Sequence, residues 1–462
     1  VSFKISHEAV LKRALSKGGD YADLFMERSY LTQAQLEGDR VERAVMGIDS
    51  GAGLRVIFNN RTVYAYTNNI SDAGLFELAD SLAAAVKRDA VGAAGLAPLQ
   101  SMSAAPWVPI KVDPAGVSLD DKIALTRRGN ETARKTDKRI RQVRVNYGDS
   151  RREIEIACST GTIVSETRCQ IAFIVHAVAA DGEIIQTGYE PVGGTLGMEL
   201  FDENPPEKIG EAAAKRAILM LEAPPAPAGR MTVVLSSEAG GTMIHEAVGH
   251  GLEADLAEEG LSVYAGKLGT QIANPIITVI DDATIPRARG SFLFDDEGIK
   301  AQKSVLIENG LLKSYMHSRL SAMKAGVEST GNGRKENYRH RPIVRMTTTM
   351  IQPGNLKPED IVRGVERGLY VRKMGGGQVN TVNGDFVFEV TEGYLIEKGK
   401  KGHPVRNATL IGNGPAVLMA IDQLADDLGF GIGTCGKDGQ GVPVSDAQPT
   451  LRIPEITVGG RG

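Results

Sequence analysis

Cysteine is scarce: three residues in a chain of 462, an odd number that cannot form a disulfide framework and that fits a reducing compartment. Long hydrophobic runs are missing too. The longest nearly apolar stretch, 171–180, has ten residues and includes His176, whereas a bilayer-spanning helix needs about 20. Neither sign of charge dominates, with 53 basic and 57 acidic residues and a net charge of −4. No basic run exceeds four residues, and KGKKG at 398–402 is short. That balance argues against a nucleic-acid partner. Aromatic residues make up 5% of the chain, with one tryptophan, Trp107. Residues 1–20 read as a charged amphipathic helix without a signal-peptide core, so the expected location is the cytoplasm and no membrane partner is expected.

Apolar residues reach 42% and charged residues 24%, the balance of a chain with a large buried core. The length suits two domains or one elaborated one. The clearest seam is LEAPPAPAGR at 221–230, where three prolines in four positions forbid helix and ladder pairing. It divides the chain into an N-terminal α+β domain, 1–222, and a β-rich C-terminal domain, 230–462. A softer seam at 89–117 holds Trp107, which is expected to pack down. The overall class is α+β, with helices and antiparallel sheet mixed in the first domain.

Helical spacing of Val10, Leu11, Ala14 and Leu15 predicts a helix that ends at Gly18-Gly19. Further helices are expected at 71–87 and 119–139, capped by Ser71 and Ser118, and at 206–221. Strands are predicted at 40–49, 53–58 and 62–66, with turns at Ser50-Gly51 and Asn59-Asn60. A second run covers 140–147, 151–158, 162–167, 170–179 and 183–189, turning at 147–149, 159–161 and Asp181-Gly182. Such short connections make neighbouring strands antiparallel. Beyond the seam, Asn309-Gly310 and Asn383-Gly384 are hairpin signals, because a two-residue reversal needs φ > 0 at both central positions. The second joins 379–382 to 385–390. Helices are expected at 237–248, 358–368 and 414–428, the first carrying a metal site.

That first helix follows a short apolar strand, 231–235, and holds the string HEAVGH at 245–250. Zinc-peptidase helices place two histidines four residues apart, about 40° around the axis, so that both imidazoles reach one ion. Here His245 and His250 are five apart, about 140° on an ideal α-helix. Gly249 and Gly251 flank the second histidine and permit a bulge or helix end that swings it back. Two imidazoles do not hold zinc, so a third ligand is required. Glu253, Asp255 and Cys435 are the candidates, the last set among glycines in GIGTCG at 431–436. Cys158 and Cys169 fall on predicted strands and read as buried structural thiols.

Several strings occur together: HEAVGHGLE (245–253), FDDEG (294–298), STGNGR (329–334), GGGQVNTVNGDF (375–386), ATLIGNG (408–414) and GTCGKDGQ (433–440). Through them the chain resembles the TldD/PmbA family, known historically as modulators of DNA gyrase, and specifically its TldD branch. The resemblance implies a zinc metallopeptidase acting on unfolded or extended peptides. It places Zn²⁺ on His245, His250 and Cys435, with Glu246 as the catalytic carboxylate that activates a metal-bound water. It also implies a two-subunit assembly, either a homodimer or a heterodimer with a PmbA/TldE-type subunit. The alternative is a non-catalytic protein-binding regulator of the gyrase-modulator type.

A zinc ion brings the pKa of its water from 15.7 to roughly 7–9, and a base beside it then takes the proton. Oxyanion support is sought among His317, Tyr338, His340 and Arg345. The glycine-rich segment with Gly375, Gly376, Gly377 and Asn380 is the expected peptide-binding edge, where an extended substrate adds as a strand.

Overall fold

The computed structural model describes residues 3–86, 95–102, 104 and 109–460. Trp107, and with it the expected packing of the softer seam, lies outside the described residues. The first sheet is built from residues 21–194. Its central order is Arg61–Thr67, Arg40–Phe58, Tyr21–Glu37, Ile140–Cys158 and Thr162–Asp181, all antiparallel, with Ile184–Gly194 beside the last strand. The helices His7–Ala14, Asp72–Ala85, Leu119–Thr136 and Pro206–Glu222 bury apolar side chains against one face of this sheet. Ser71 and Ser118 cap their helices as expected, accepting from the amides of Gly74 and Asp121.

Several expected turns are absent. Ile140–Cys158 is one unbroken strand, in which Gly148 pairs with Gln33 on one side and Ala172 on the other. Thr162–Asp181 is likewise continuous, and Gly51 pairs with Glu27 inside Arg40–Phe58. A Gly-Asp-Ser run reverses a chain only when nothing pairs beside it, and here long neighbours flank it on both edges. The strand Tyr21–Glu37, at the centre of the sheet, was not anticipated. Its inner half is buried on both faces, which hides the period-2 alternation that marks a half-buried strand.

The sheet's other face packs on the second half of the chain. Tyr21, Phe25, Ile154 and Ile156 meet Leu293, Phe294 and Tyr338. Beside them Arg55 Nη1 donates to Glu297 Oε1 at 2.6 Å, and Arg168 Nη1 to Asp296 Oδ1 at 2.8 Å.

After residue 228 two further large sheets form. One runs Leu311–Leu312, Lys303–Glu308, Val279–Asp282, Thr348–Ile351, Gln440–Gln448 and Gly429–Lys437. The other runs Arg367–Val379, Gly229–Leu235, Leu451–Gly459, Ala408–Asn413 and Asp385–Glu397, and its first and fifth strands also pair, closing it into a small barrel. Asn309 and Gly310 both have positive φ and make the expected tight reversal. The Asn383-Gly384 hairpin is wider than expected. Its strands end at Val379 and restart at Asp385, only Gly384 has positive φ, and the Asn380 amide and carbonyl close the loop. Two expected helices are shorter: Pro358–Arg363 gives way to a strand at Arg367, and Gly414–Ala420 stops well before 428.

Candidate metal centre

The expected helix at 237–248 breaks into pieces. Ser236 Oγ caps a single 3₁₀ turn, Ser237–Ala239, and Gly240 then reverses the backbone at φ 68°. A short α-turn, Thr242–Ile244, leads into a π-helical turn, His245–Gly249, followed by a 3₁₀ turn, His250–Leu252. The His250 amide donates to the His245 carbonyl, so the wide turn spans the two histidines themselves. One extra residue in the turn carries position i+5 round to the face that i+4 holds in an α-helix. The two rings lie 5.1 Å apart, nearly perpendicular.

Gly249 makes this turn possible by close approach, since a Cβ there would overlap Met346 Sδ. Gly251 is confined in the same way by the ring of Tyr264. Tyr264 is fully buried and donates its hydroxyl to the Ala247 carbonyl at 3.2 Å.

Cys435 reaches the histidines from the edge strand Gly429–Lys437. The potential ligand atoms of His245, His250 and Cys435 lie within 4.8 Å of one another, with Cys435 Sγ 3.4 Å from His250 Nε2. Burial pushes the Cys435 thiol up, but the imidazoles of His245 and His250 overcome it and bring the group down to about 5. For His250, burial acts downward, while Glu253 and Cys435 raise it to about 11. His245 is raised as well: burial opposes the shift and Cys435 drives it. The pocket therefore favours a thiolate that attracts positive charge. A cation entering it displaces the imidazole protons.

Glu246 is half-buried and lines the same cavity, of about 630 Å³. Burial lifts its carboxyl above the ordinary range, with the two histidines pulling it back.

The other sequence candidates sort clearly. Glu253 lies behind His250, its Oε2 3.0 Å from Nδ1, and Asp255 pairs with Lys437. None of His317, Tyr338, His340 or Arg345 lines the cavity. Arg345 donates to the Cys435 carbonyl, Tyr338 bonds Asp49 on the first sheet, and His340 bonds Asn337. The His317 imidazole lies 3.9 Å from Glu258.

Gly375 and Gly376 line the cavity, and Gly376 and Gly377 line an adjoining groove of about 1080 Å³. Asn380 lines neither and instead closes its loop. The Met374↔Val390 and Gly377↔Phe388 pairs leave Gly375 and Gly376 bulged opposite Glu389.

Several lining residues were not anticipated. His176, Thr187 and Tyr189 come from the first sheet, where the His176 and Tyr189 rings pack at 4.6 Å across paired strands. Glu389 and Thr391 lie across from the glycines, and Asp446 sits beside the turn, accepting from the Gly241 amide at 2.8 Å. For Glu389 a signal existed in the alternation of 385–390, where odd positions are exposed.

Family models cover nearly the whole chain. Residues 22–93 match PmbA/TldA metallopeptidase domain 1, residues 112–221 its central domain, and residues 228–460 its C-terminal domain. The class is that of the metallopeptidases. A Haemophilus influenzae relative named metalloprotease TldD homolog is 38% identical, over 96% of this chain and 93% of its own. The chain belongs to the PmbA/TldD family. Two solved structures share the fold. A Thermotoga maritima protein described as a modulator of DNA gyrase has TM-score 0.79 and 23% identity, covering 98% of this chain and 100% of its own. TldE from Thermococcus kodakarensis has TM-score 0.77 and 20% identity, covering 98% and 99%.

Proposed function

We propose that this chain is a zinc peptidase that cleaves unfolded or extended peptides, with His245, His250 and Cys435 as metal ligands and Glu246 as the general base. The observation that carries the reading is the π-turn, which gathers two imidazoles and a thiolate beside a carboxylate on one cavity. Two imidazoles and one thiolate suit Zn²⁺ by donor type and leave a fourth position open, as catalytic rather than structural sites do. When bound, the ion supplies Lewis acidity.

The chain's own groups do the rest. Glu246 takes a proton from the attacking water and returns it to the leaving amine, and its upward shift brings it nearer the proton affinity such transfer needs. Segment 372–379 extends past its pairing with Gly229–Leu235, leaving one strand edge without a ladder partner among the described residues. There an extended peptide gains main-chain hydrogen bonds. The cavity and the larger groove share Gly376 and Glu389, a continuous path suited to a peptide without secondary structure.

In this reading residues 1–222 form the α+β wall and residues 230–462 the β-rich catalytic domain. Three free cysteines, one of them the proposed thiolate ligand, support a cytoplasmic location. No helix among the described residues is long and apolar enough to cross a membrane. The family resemblance carried by the sequence motifs makes a dimer, of two copies or with a TldE-type subunit, the assembly in this reading.

The test is cleavage of an unstructured peptide by the purified chain, alone and with a TldE-type subunit. Chelation should abolish turnover and Zn²⁺ restore it; activity that survives complete removal of metal would overturn the reading. Gly376→Val tests the edge separately. A Cβ at 376 meets nothing within 4 Å, whereas one at 377 would overlap Phe388. The variant should fold normally and show a raised KM, and an unchanged KM would remove the edge from the account.

A further inference from the structure

Glu253, Asp255 and Lys437 form a chain of contacts behind His250. Glu253 Oε2 lies 3.0 Å from His250 Nδ1 and accepts from Lys437 Nζ at 3.1 Å. Lys437 Nζ also donates to Asp255 Oδ1 at 2.6 Å and to the Val344 carbonyl at 3.1 Å. The Glu253 side chain is fully excluded from solvent and that of Lys437 is 10% exposed.

Placement makes the contact informative. Lys437 ends the strand Gly429–Lys437, two residues after Cys435, and Glu253 directly follows the turn that carries His250. The Lys437–Glu253 bridge therefore joins the element bearing the thiolate to the element bearing the imidazole. A buried ion pair is an inefficient source of stability, because desolvating both charges offsets their attraction. Its value here is geometric. A histidine that binds metal through one nitrogen is held in orientation by a carboxylate on the other. The Nε2 atom of His250 points at Cys435 Sγ while Nδ1 faces Glu253.

We infer that Glu253 and Lys437 are positioning residues of the metal centre: together they lock the His250 ring and set its distance from Cys435. The inference rests on the ligand set proposed above and goes beyond it, since neither residue is itself a ligand.

The test is Zn²⁺ affinity, measured by competition with a chromogenic chelator, and the absorption spectrum of the Co²⁺-substituted chain. Both are recorded for wild type, Glu253→Gln and Lys437→Met. Glu253→Gln is isosteric and leaves Lys437 paired with Asp255, so its fold is maintained even if Lys437→Met is not. Both variants should bind Zn²⁺ about 10–100-fold more weakly, and their thiolate-to-cobalt band should shift while remaining present. A merely structural role would lower thermal stability and leave the band where it is. If wild type binds no zinc, the ligand set itself fails. If wild type binds and Glu253→Gln binds equally tightly with an unshifted band, the positioning inference is overturned.

Discussion

Glu246→Gln should lower turnover of an unstructured peptide by about 10²–10⁴-fold, the usual contribution of a positioned general base, while the chain keeps its full complement of zinc. Glutamine preserves the volume of the side chain but cannot accept the proton. Glu246 lines the cavity without belonging to the ligand cluster, so metal content should not change. Losing an interaction made only in the transition state lowers kcat and kcat/KM together. A variant that turns over at the wild-type rate removes Glu246 from the mechanism. One that loses zinc makes it a ligand.

Cys435→Ala should weaken zinc binding by more than the roughly 10–100-fold expected when a ligand's hydrogen-bond partner is removed. The thiolate is the only anion in the proposed ligand set, and without it two neutral imidazoles remain. The fold should tolerate the change, because the backbone at 435 is held independently of its side chain. Arg345 donates to the Cys435 carbonyl and to that of Gln440, and Cys435 pairs with Val442 across the hairpin. The measurements are zinc content after dialysis and the unfolding temperature of the metal-free chain. Wild-type affinity in this variant would exclude the sulfur.

What could be read from the sequence, and what could not, follows from the range of the interactions. The five-residue spacing of His245 and His250, with Gly249 beside the second, already called for a distorted turn. That distortion is local, and it is present. The straight helix at 237–248 failed for one local and one distant reason: Gly240 reverses the backbone, and Asp446, from a distant strand, anchors the Gly241 amide. The continuity of Ile140–Cys158 and Thr162–Asp181 depends on long neighbours that pair across their glycine and polar interruptions. A window of eight residues cannot contain that information. The cavity wall is the extreme case. His176 and Tyr189 line the same cavity as the π-turn only because the first sheet lies against the second half of the chain. Asn380 differs for the opposite reason: its side-chain oxygen accepts from the Val382 amide, and its own amide and carbonyl close the loop.

X-ray absorption at the zinc edge of the purified chain is the most direct test of the centre. One sulfur and two imidazole nitrogens are expected in the first coordination shell, with the sulfur lost in Cys435→Ala. A shell of oxygen and nitrogen alone in the wild type, unchanged by that substitution, would contradict that expectation.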